Sequence, residues 1–270
     1  MRIVSYLAPN LFWLYEAVGD YLGRVLEKEV QTFAAEADPL TDSQLAEEGW
    51  EGCFICGLPL MRLDQAFPGQ LRPLVAPVMQ ADRYGDRPIY FSDVIVRADS
   101  SLRAWEDLSQ TVFCYNDTGS HSGYNLMRYH LLQRGQVQGF FRQVVQSEAH
   151  LRSLQWILAG KADCTAIDST VFERALTDKP ELRDQLRVIT SLGPSPMPPF
   201  AVSQRLEPSL QETIRQALCR PDACLQRSLA RAGVRRFAPV ELADYQPVLE
   251  LHRAALAANR EFICDFKTAC

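Results

Sequence analysis

Strand-like segments alternate with segments of helical apolar spacing almost from the first residue, and that alternation points to an α/β arrangement in which helices cover sheets. Arg2-Ile3-Val4-Ser5-Tyr6-Leu7 reads as a strand, stopped by the turn signal Ala8-Pro9-Asn10. Leu11, Leu14, Tyr15, Val18, Tyr21, Leu22, Val25 and Leu26 then recur at helical spacing, and residues 30–34 are strand-like again. Further strands are expected at 52–58, 71–79, 88–97, 111–116, 142–146, 162–168, 186–191 and 200–203. Helices are expected at 122–133 and 150–159, each closed by a glycine, Gly135 or Gly160, suited to a left-handed cap. Beyond residue 203 the pattern predicts helices only, at 208–219, 224–232 and 240–259.

Two stretches look like crossings between lobes. One is the long strand 89–97. The other is Gly193-Pro194-Ser195-Pro196-Met197-Pro198-Pro199, whose prolines make a stiff connector. They divide the chain into a discontinuous lobe, 1–94 with 200–270, and an inserted lobe, 95–199, and 270 residues with 47% apolar content suffice for both cores. A net charge of -5 with scattered basic residues argues against nucleic acid as a partner. No apolar run approaches the roughly 20 residues that span a bilayer, and the first residues lack the form of a leader, so membrane insertion is not expected. The eight cysteines sit mostly in apolar stretches and read as buried reduced thiols, including Cys53 and Cys56 despite their redox-motif spacing. This usage suits the cytoplasm for the chain as it stands, and the periplasm if a leader has been removed.

The most informative segment is Asn116-Asp117-Thr118-Gly119-Ser120-His121-Ser122-Gly123-Tyr124, between a strand and a helix. Glycines admit close backbone approach, hydroxyls donate, and the N–H groups at a helix start favour an anion. Alternatively Ser120 or Ser122 merely caps the helix. A Walker loop is excluded because no Gly-Lys-Ser/Thr follows, and a nucleophile elbow because His121 stands where its serine would be.

This segment resembles the Ser-Thr-Ser-Gly-Tyr stretch of the phosphate/phosphonate-binding proteins of ABC transporters, which have the type 2 periplasmic binding protein fold. Arg87 to Ser92 leading into Val94 to Arg97, Ser147-Glu148-Ala149-His150, and Gly160-Lys161-Ala162-Asp163 running into Ala166 to Ser169 agree in order. The resemblance implies two α/β lobes with two hinge crossings and a ligand cleft between them, closing around a small phosphate- or phosphonate-like oxyanion. It implies no cofactor, no metal and no catalysis, with an ABC transporter permease as partner. By the same resemblance, Ser120, His121 and Ser122 supply main-chain and hydroxyl donors, and His150 donates from its ring. His121 departs from the family's threonine and would add a donor titrating near pH 6.5; it could equally be a solvent-facing residue, and His150 a surface cap. Asp168 is expected to meet a cationic or hydroxyl group, or else to cap the next helix. Tyr90 and Tyr6 offer a hydroxyl and a ring face, or pack in the core; Cys56 borders the turn Gly57-Leu58-Pro59, by which the first lobe reaches the cleft. The connector brings Ser195 and Met197 where phosphonate binders carry an acidic residue, which speaks against aminoethylphosphonate. Two rivals remain: an enzyme on the same scaffold, similar to the pyrimidine synthase of thiamine formation, and a purely regulatory ligand-sensing domain.

Overall fold

The structure, a computed structural model, describes residues 1–35, 38–46, 49–136 and 139–257. Its strands are β1 (Arg2–Ser5), β2 (Gln31–Ala34), β3 (Gly52–Phe54), β4 (Leu71–Met79), β5 (Ile89–Arg97), β6 (Val112–Tyr115), β7 (Gln143–Gln146), β8 (Cys164–Asp168), β9 (Leu186–Pro196), β10 (Phe200–Ser203) and β11 (Val234–Pro239). The helices are α1 (Phe12–Leu26), α2 (Ser43–Ala46), α3 (Gly57–Ala66), α4 (Leu126–Gln133), α5 (His150–Leu158), α6 (Ser169–Asp178), α7 (Leu182–Gln185), α8 (Pro208–Cys219), α9 (Ala223–Arg231) and α10 (Gln246–Ala257). The chain divides into two compact units, residues 1–90 with 195–249, and residues 91–194 with the described residues 250–257.

The first unit is built on a sheet of order β11-β4-β10-β3-β1-β2. β1 runs parallel to β2 and β3, while β10 is antiparallel to β3 and β4. Its core centres on Phe54, whose ring stacks on Tyr15 at 4.3 Å and meets Phe200 at 4.9 Å. The second unit has a sheet of order β7-β6-β8-β5-β9, in which β6 is parallel to both neighbours and β5 is antiparallel to β8. Phe113, Phe141, Trp105, Leu131 and Met127 fill its core. In each unit the connection after a parallel strand therefore emerges at the same edge of the sheet, the edge where α/β folds hold ligands.

Four expectations are corrected. Residues 234–239 form a strand, β11, antiparallel to β4, not part of an all-helical tail; its Arg235-Arg236 pair faces outward and masks the apolar alternation. The strand expected at 52–58 ends at Phe54, and Gly57-Leu58-Pro59 is the first turn of α3, where proline is tolerated because those N–H groups need no intrahelical acceptor. Part of the proline-rich connector is strand, since β9 extends to Pro196. The chain passes between units at 90/91 and 194/195, and a third time at 249/250 inside α10, so residues 250–257 group with the second unit although the sequence places them in the first.

Among the described residues no helix is long and apolar enough to cross a membrane. Cys53, Cys114 and Cys164 are buried free thiols, with burial pushing Cys53 up to about 12, Cys114 up to about 11 and Cys164 higher still. Cys264, Cys270 and the end of the helix expected at 240–259 lie outside the described residues.

Candidate anion-binding site

In the second unit the candidate segments all follow parallel strands at their carboxyl ends: Asn116–Gly123 after β6, Ser147–His150 after β7, and Asp168 closing β8. The turn after β6 is fixed locally. Asp117 accepts a hydrogen bond from the Gly119 N–H through Oδ1 at 2.6 Å, and its carbonyl accepts from the Ser120 N–H at 3.1 Å. Ser120 then caps the helix, its hydroxyl accepting from the Gly123 N–H at 3.0 Å. The capping alternative is thus realised at Ser120, yet the hydroxyl keeps its own hydrogen as a donor.

The helix opens as a π-turn over His121–Asn125, with the Asn125 N–H reaching back to the Ser120 carbonyl at 3.0 Å. Such widened turns interrupt helices mostly at functional positions. They also leave the first N–H groups without an acceptor inside the helix, at its positive end. Ser92 from β5 clamps the turn from beneath by donating its hydroxyl hydrogen to the Ser122 carbonyl at 2.7 Å.

His150 opens α5 and is no surface cap. Its Nε2 lies 3.3 Å from the Ser122 hydroxyl, which brings segments 116–123 and 147–150 together. Its Nδ1 is buried without a hydrogen-bond partner in the protein. The helix that carries it is anchored by the buried Ser147, whose N–H donates to the Tyr115 carbonyl at 2.7 Å and whose hydroxyl lies 2.5 Å from that of Ser153. Burial holds the His150 ring neutral, lowering its pKa to about 4.

His121 corrects an expectation. Its ring is 1% exposed and turned inward, with Nδ1 3.0 Å from the Asn125 amide nitrogen, and Asn125 in turn lies 3.2 Å from His252 of α10. Burial, with a smaller contribution from His252, lowers its pKa to about 3. The ring is therefore neutral through the physiological range and does not titrate near 6.5 as expected.

Asp168 sits opposite Ser92 in the β5–β8 ladder and caps α6, its Oδ1 accepting from the Thr170 N–H at 2.8 Å and the Thr170 hydroxyl at 2.7 Å. Burial, partly offset by these bonds, raises its pKa to about 6. A carboxyl that holds its proton more tightly when folded favours the fold below 3.8, and that contribution is lost as pH rises through 6. Asp168→Asn keeps the accepting oxygen and removes the ionisation. Urea unfolding at pH 4 and pH 8 should therefore show a stability difference between the two pH values that is shifted by roughly 2 kcal/mol in the variant relative to the parent; an unshifted difference would mean that Asp168 ionises as freely in the fold as in water.

The remaining candidates belong to the first unit. Tyr6 follows β1; its hydroxyl donates to Asp42 Oδ2 at 2.6 Å, and burial, followed by that bond, raises its pKa. Its N–H donates to the Phe54 carbonyl at 2.9 Å, placing it beside the end of β3, where Cys56, half-buried, precedes α3. Tyr90 is buried, 1% exposed.

Two residues of this arrangement are not singled out by the sequence. A Cβ on Gly123 would fall 1.7 Å from Asn116 Oδ1 and 3.2 Å from His150 Cε1, so the Asn116 amide and the His150 ring converge over a glycine that must be bare. Asn116 Oδ1, like His150 Nδ1, is buried without a hydrogen-bond partner in the protein. The only signal for either residue was membership in the glycine- and serine-rich segment.

The family described as ABC transporter, phosphonate, periplasmic substrate-binding protein matches residues 3–245. No curated protein matches the sequence. Among solved structures, the chain is similar to a binding protein component of an ABC phosphonate transporter from Pseudomonas aeruginosa, at 18% identity over 97% of this chain and 89% of that one, with a TM-score of 0.80. It is similar also to PhnD1 from Prochlorococcus marinus in complex with methylphosphonate, at 16% identity over 94% and 97%, with a TM-score of 0.78. A Xanthomonas citri protein bound to ATP shares 17% identity over 95% and 97%, with a TM-score of 0.70. At these identities the solved structures establish the fold.

Proposed function

This chain belongs to the phosphonate-binding family of periplasmic substrate-binding proteins of ABC transporters, and from that premise we propose that it captures a small phosphonate- or phosphate-like oxyanion at the turn 116–123, without a chemical step. The observation that carries this reading is the meeting of Ser122 and His150 over Gly123, with the His150 Nδ1 buried and unmatched. An unpaired buried polar atom costs about 1–3 kcal/mol. Here one lies beside a widened helix start, at the sheet edge where α/β proteins take ligands. Main-chain N–H groups and neutral side-chain donors suit an oxyanion, because they balance its charge without adding a second buried ion.

The captured ligand would be handed to a transporter permease, the partner the family implies, or its capture would be read by a sensor. With the Asp168 carboxyl engaged by Thr170 and the Asp117 carboxyl by the Gly119 N–H, a compact ligand such as methylphosphonate fits better than one carrying an amine. Thermal-shift screening against methylphosphonate, phosphate, phosphite and sulfate tests this. A ligand at a hundred times its Kd should stabilise the protein by about 2.7 kcal/mol. Ser122→Ala removes the hydroxyl that faces His150 and should weaken the best of these anions roughly tenfold, the worth of a charge-assisted hydrogen bond. No stabilisation by any of them at millimolar concentration would refute the reading.

A further inference from the structure

We propose that Asn116 makes the site selective for an oxyanion that still carries a proton: a hydrogen phosphonate or hydrogen phosphate, R–PO2(OH), in preference to a sulfonate, a sulfate or a fully ionised phosphonate. The inference rests on the oxyanion reading of the turn 116–123 and goes beyond it, assigning the protonation state of the ligand and the residue that selects it.

The two side chains that converge over the same bare glycine each hold a buried polar atom without a protein partner, Asn116 Oδ1 and His150 Nδ1, and the two atoms differ in what they can do. Whichever ring nitrogen of His150 bears the hydrogen, the Ser122–His150 pair has one left over to offer a ligand: Nδ1–H if Nε2 accepts from the serine, or the serine O–H if Nε2 donates to it. Asn116 Oδ1 can only accept. A sulfonate or a dianionic phosphonate presents acceptors alone, so it would satisfy the donors of the turn and leave Oδ1 opposite another oxygen lone pair, buried and repelled. A P–OH group donates to Oδ1 while the other oxygens of the same ligand accept from the turn. One ligand class thus matches both atoms, and the mismatch for the other is the type of unpaired polar group that gives strong discrimination.

The titratable groups on the turn and on the elements of the second unit that meet it are His150 on α5, His121 and Tyr124 in the π-turn, Tyr115 on β6 and Asp117 after it, Asp168 at the end of β8, Asp93 on β5 and His252 on α10. His150 and His121 are lowered to about 4 and about 3, Asp168 is raised to about 6, and burial raises both tyrosines. Methanesulfonate, which has no proton to lose, serves as the control for any protein titration.

The test is isothermal titration of the full chain with methylphosphonate, inorganic phosphate, methanesulfonate and sulfate between pH 6.5 and 9. The two phosphorus anions should bind at least about a hundredfold more tightly than the sulfur anions at pH 6.5. The dissociation constant of methylphosphonate should rise toward tenfold per pH unit once its second ionisation is passed, relative to any change seen with methanesulfonate, whereas inorganic phosphate, which keeps a P–OH as its dianion throughout this range, should show no such slope; the tighter of the two identifies the source of the ligand. In Asn116→Ala both the preference and the pH slope should collapse, and Asn116→Ser, which restores an accepting oxygen, should recover part of each. Sulfonate binding as tight as phosphonate, a flat pH profile for methylphosphonate, or full discrimination in a folded Asn116→Ala would overturn this inference and leave the oxyanion reading standing. Binding of none of the four would remove both.

Discussion

Gly123→Ala should weaken methylphosphonate binding about a hundredfold while shifting the melting temperature little. The added methyl group falls 1.7 Å from Asn116 Oδ1, closer than any real contact, and 3.2 Å from His150 Cε1, a tight one. The atom in the way is the end of a side chain, so Asn116 can swing aside and the fold can accommodate the change. Alanine is also about 1 kcal/mol better than glycine inside a helix, which offsets the repacking. The ligand site has no such escape, because the displaced amide and ring are the groups that meet over the glycine. Losing their alignment removes two hydrogen bonds to a charged ligand, and about 2.7 kcal/mol corresponds to the hundredfold loss. Titration calorimetry and a melting curve on the same preparation separate the two effects. Retained affinity would show that the anion does not lie over Gly123, whereas a large fall in melting temperature would show that Asn116 is held rigidly by the fold.

How much of this site the sequence disclosed depends on which physical term governs each residue. The apolar alternation displayed most of the elements because burial on one face of a sheet or helix leaves a periodic trace. β11 left none, since a register shift between Val234 and Arg236 sets two exposed arginines side by side and breaks the two-residue alternation. Ser120, Ser122 and His150 were legible as a helix start and a family segment, and the last two do come together. His121 was not: the sequence reads it as a titratable donor or a solvent-facing residue, and only its place in the π-turn, buried beside Asn125 and near His252 of α10, shows it to be neither. Asn116 was not singled out because its place is a convergence of the segment after β6, the π-turn and α5, which no spacing along the chain encodes.

Phe113→Ala should cost the second unit about 4 kcal/mol, the usual range for emptying a buried aromatic site. The ring is 0% exposed and stacks on Phe141 at 4.9 Å and on Tyr115 at 6.5 Å. Tyr115 lies 4.7 Å from Tyr124, whose ring carries the Arg128 guanidinium 5.4 Å from its centre. This line of aromatic contacts runs from the middle of the sheet to the helix start, so the core that stabilises the unit also supports the turn that would grip the anion. A folded domain holds only about 5–15 kcal/mol in reserve, so the variant should unfold at a markedly lower urea concentration. Because the loss falls on the unit that binds, methylphosphonate at a hundred times its Kd for the variant should restore about 2.7 kcal/mol of it. Circular dichroism during urea titration, with and without the ligand, measures both quantities. A loss below about 1 kcal/mol would mean that the aromatic stack is not closed around Phe113; a full loss that saturating ligand does nothing to reverse would mean that the anion is held elsewhere than on this unit.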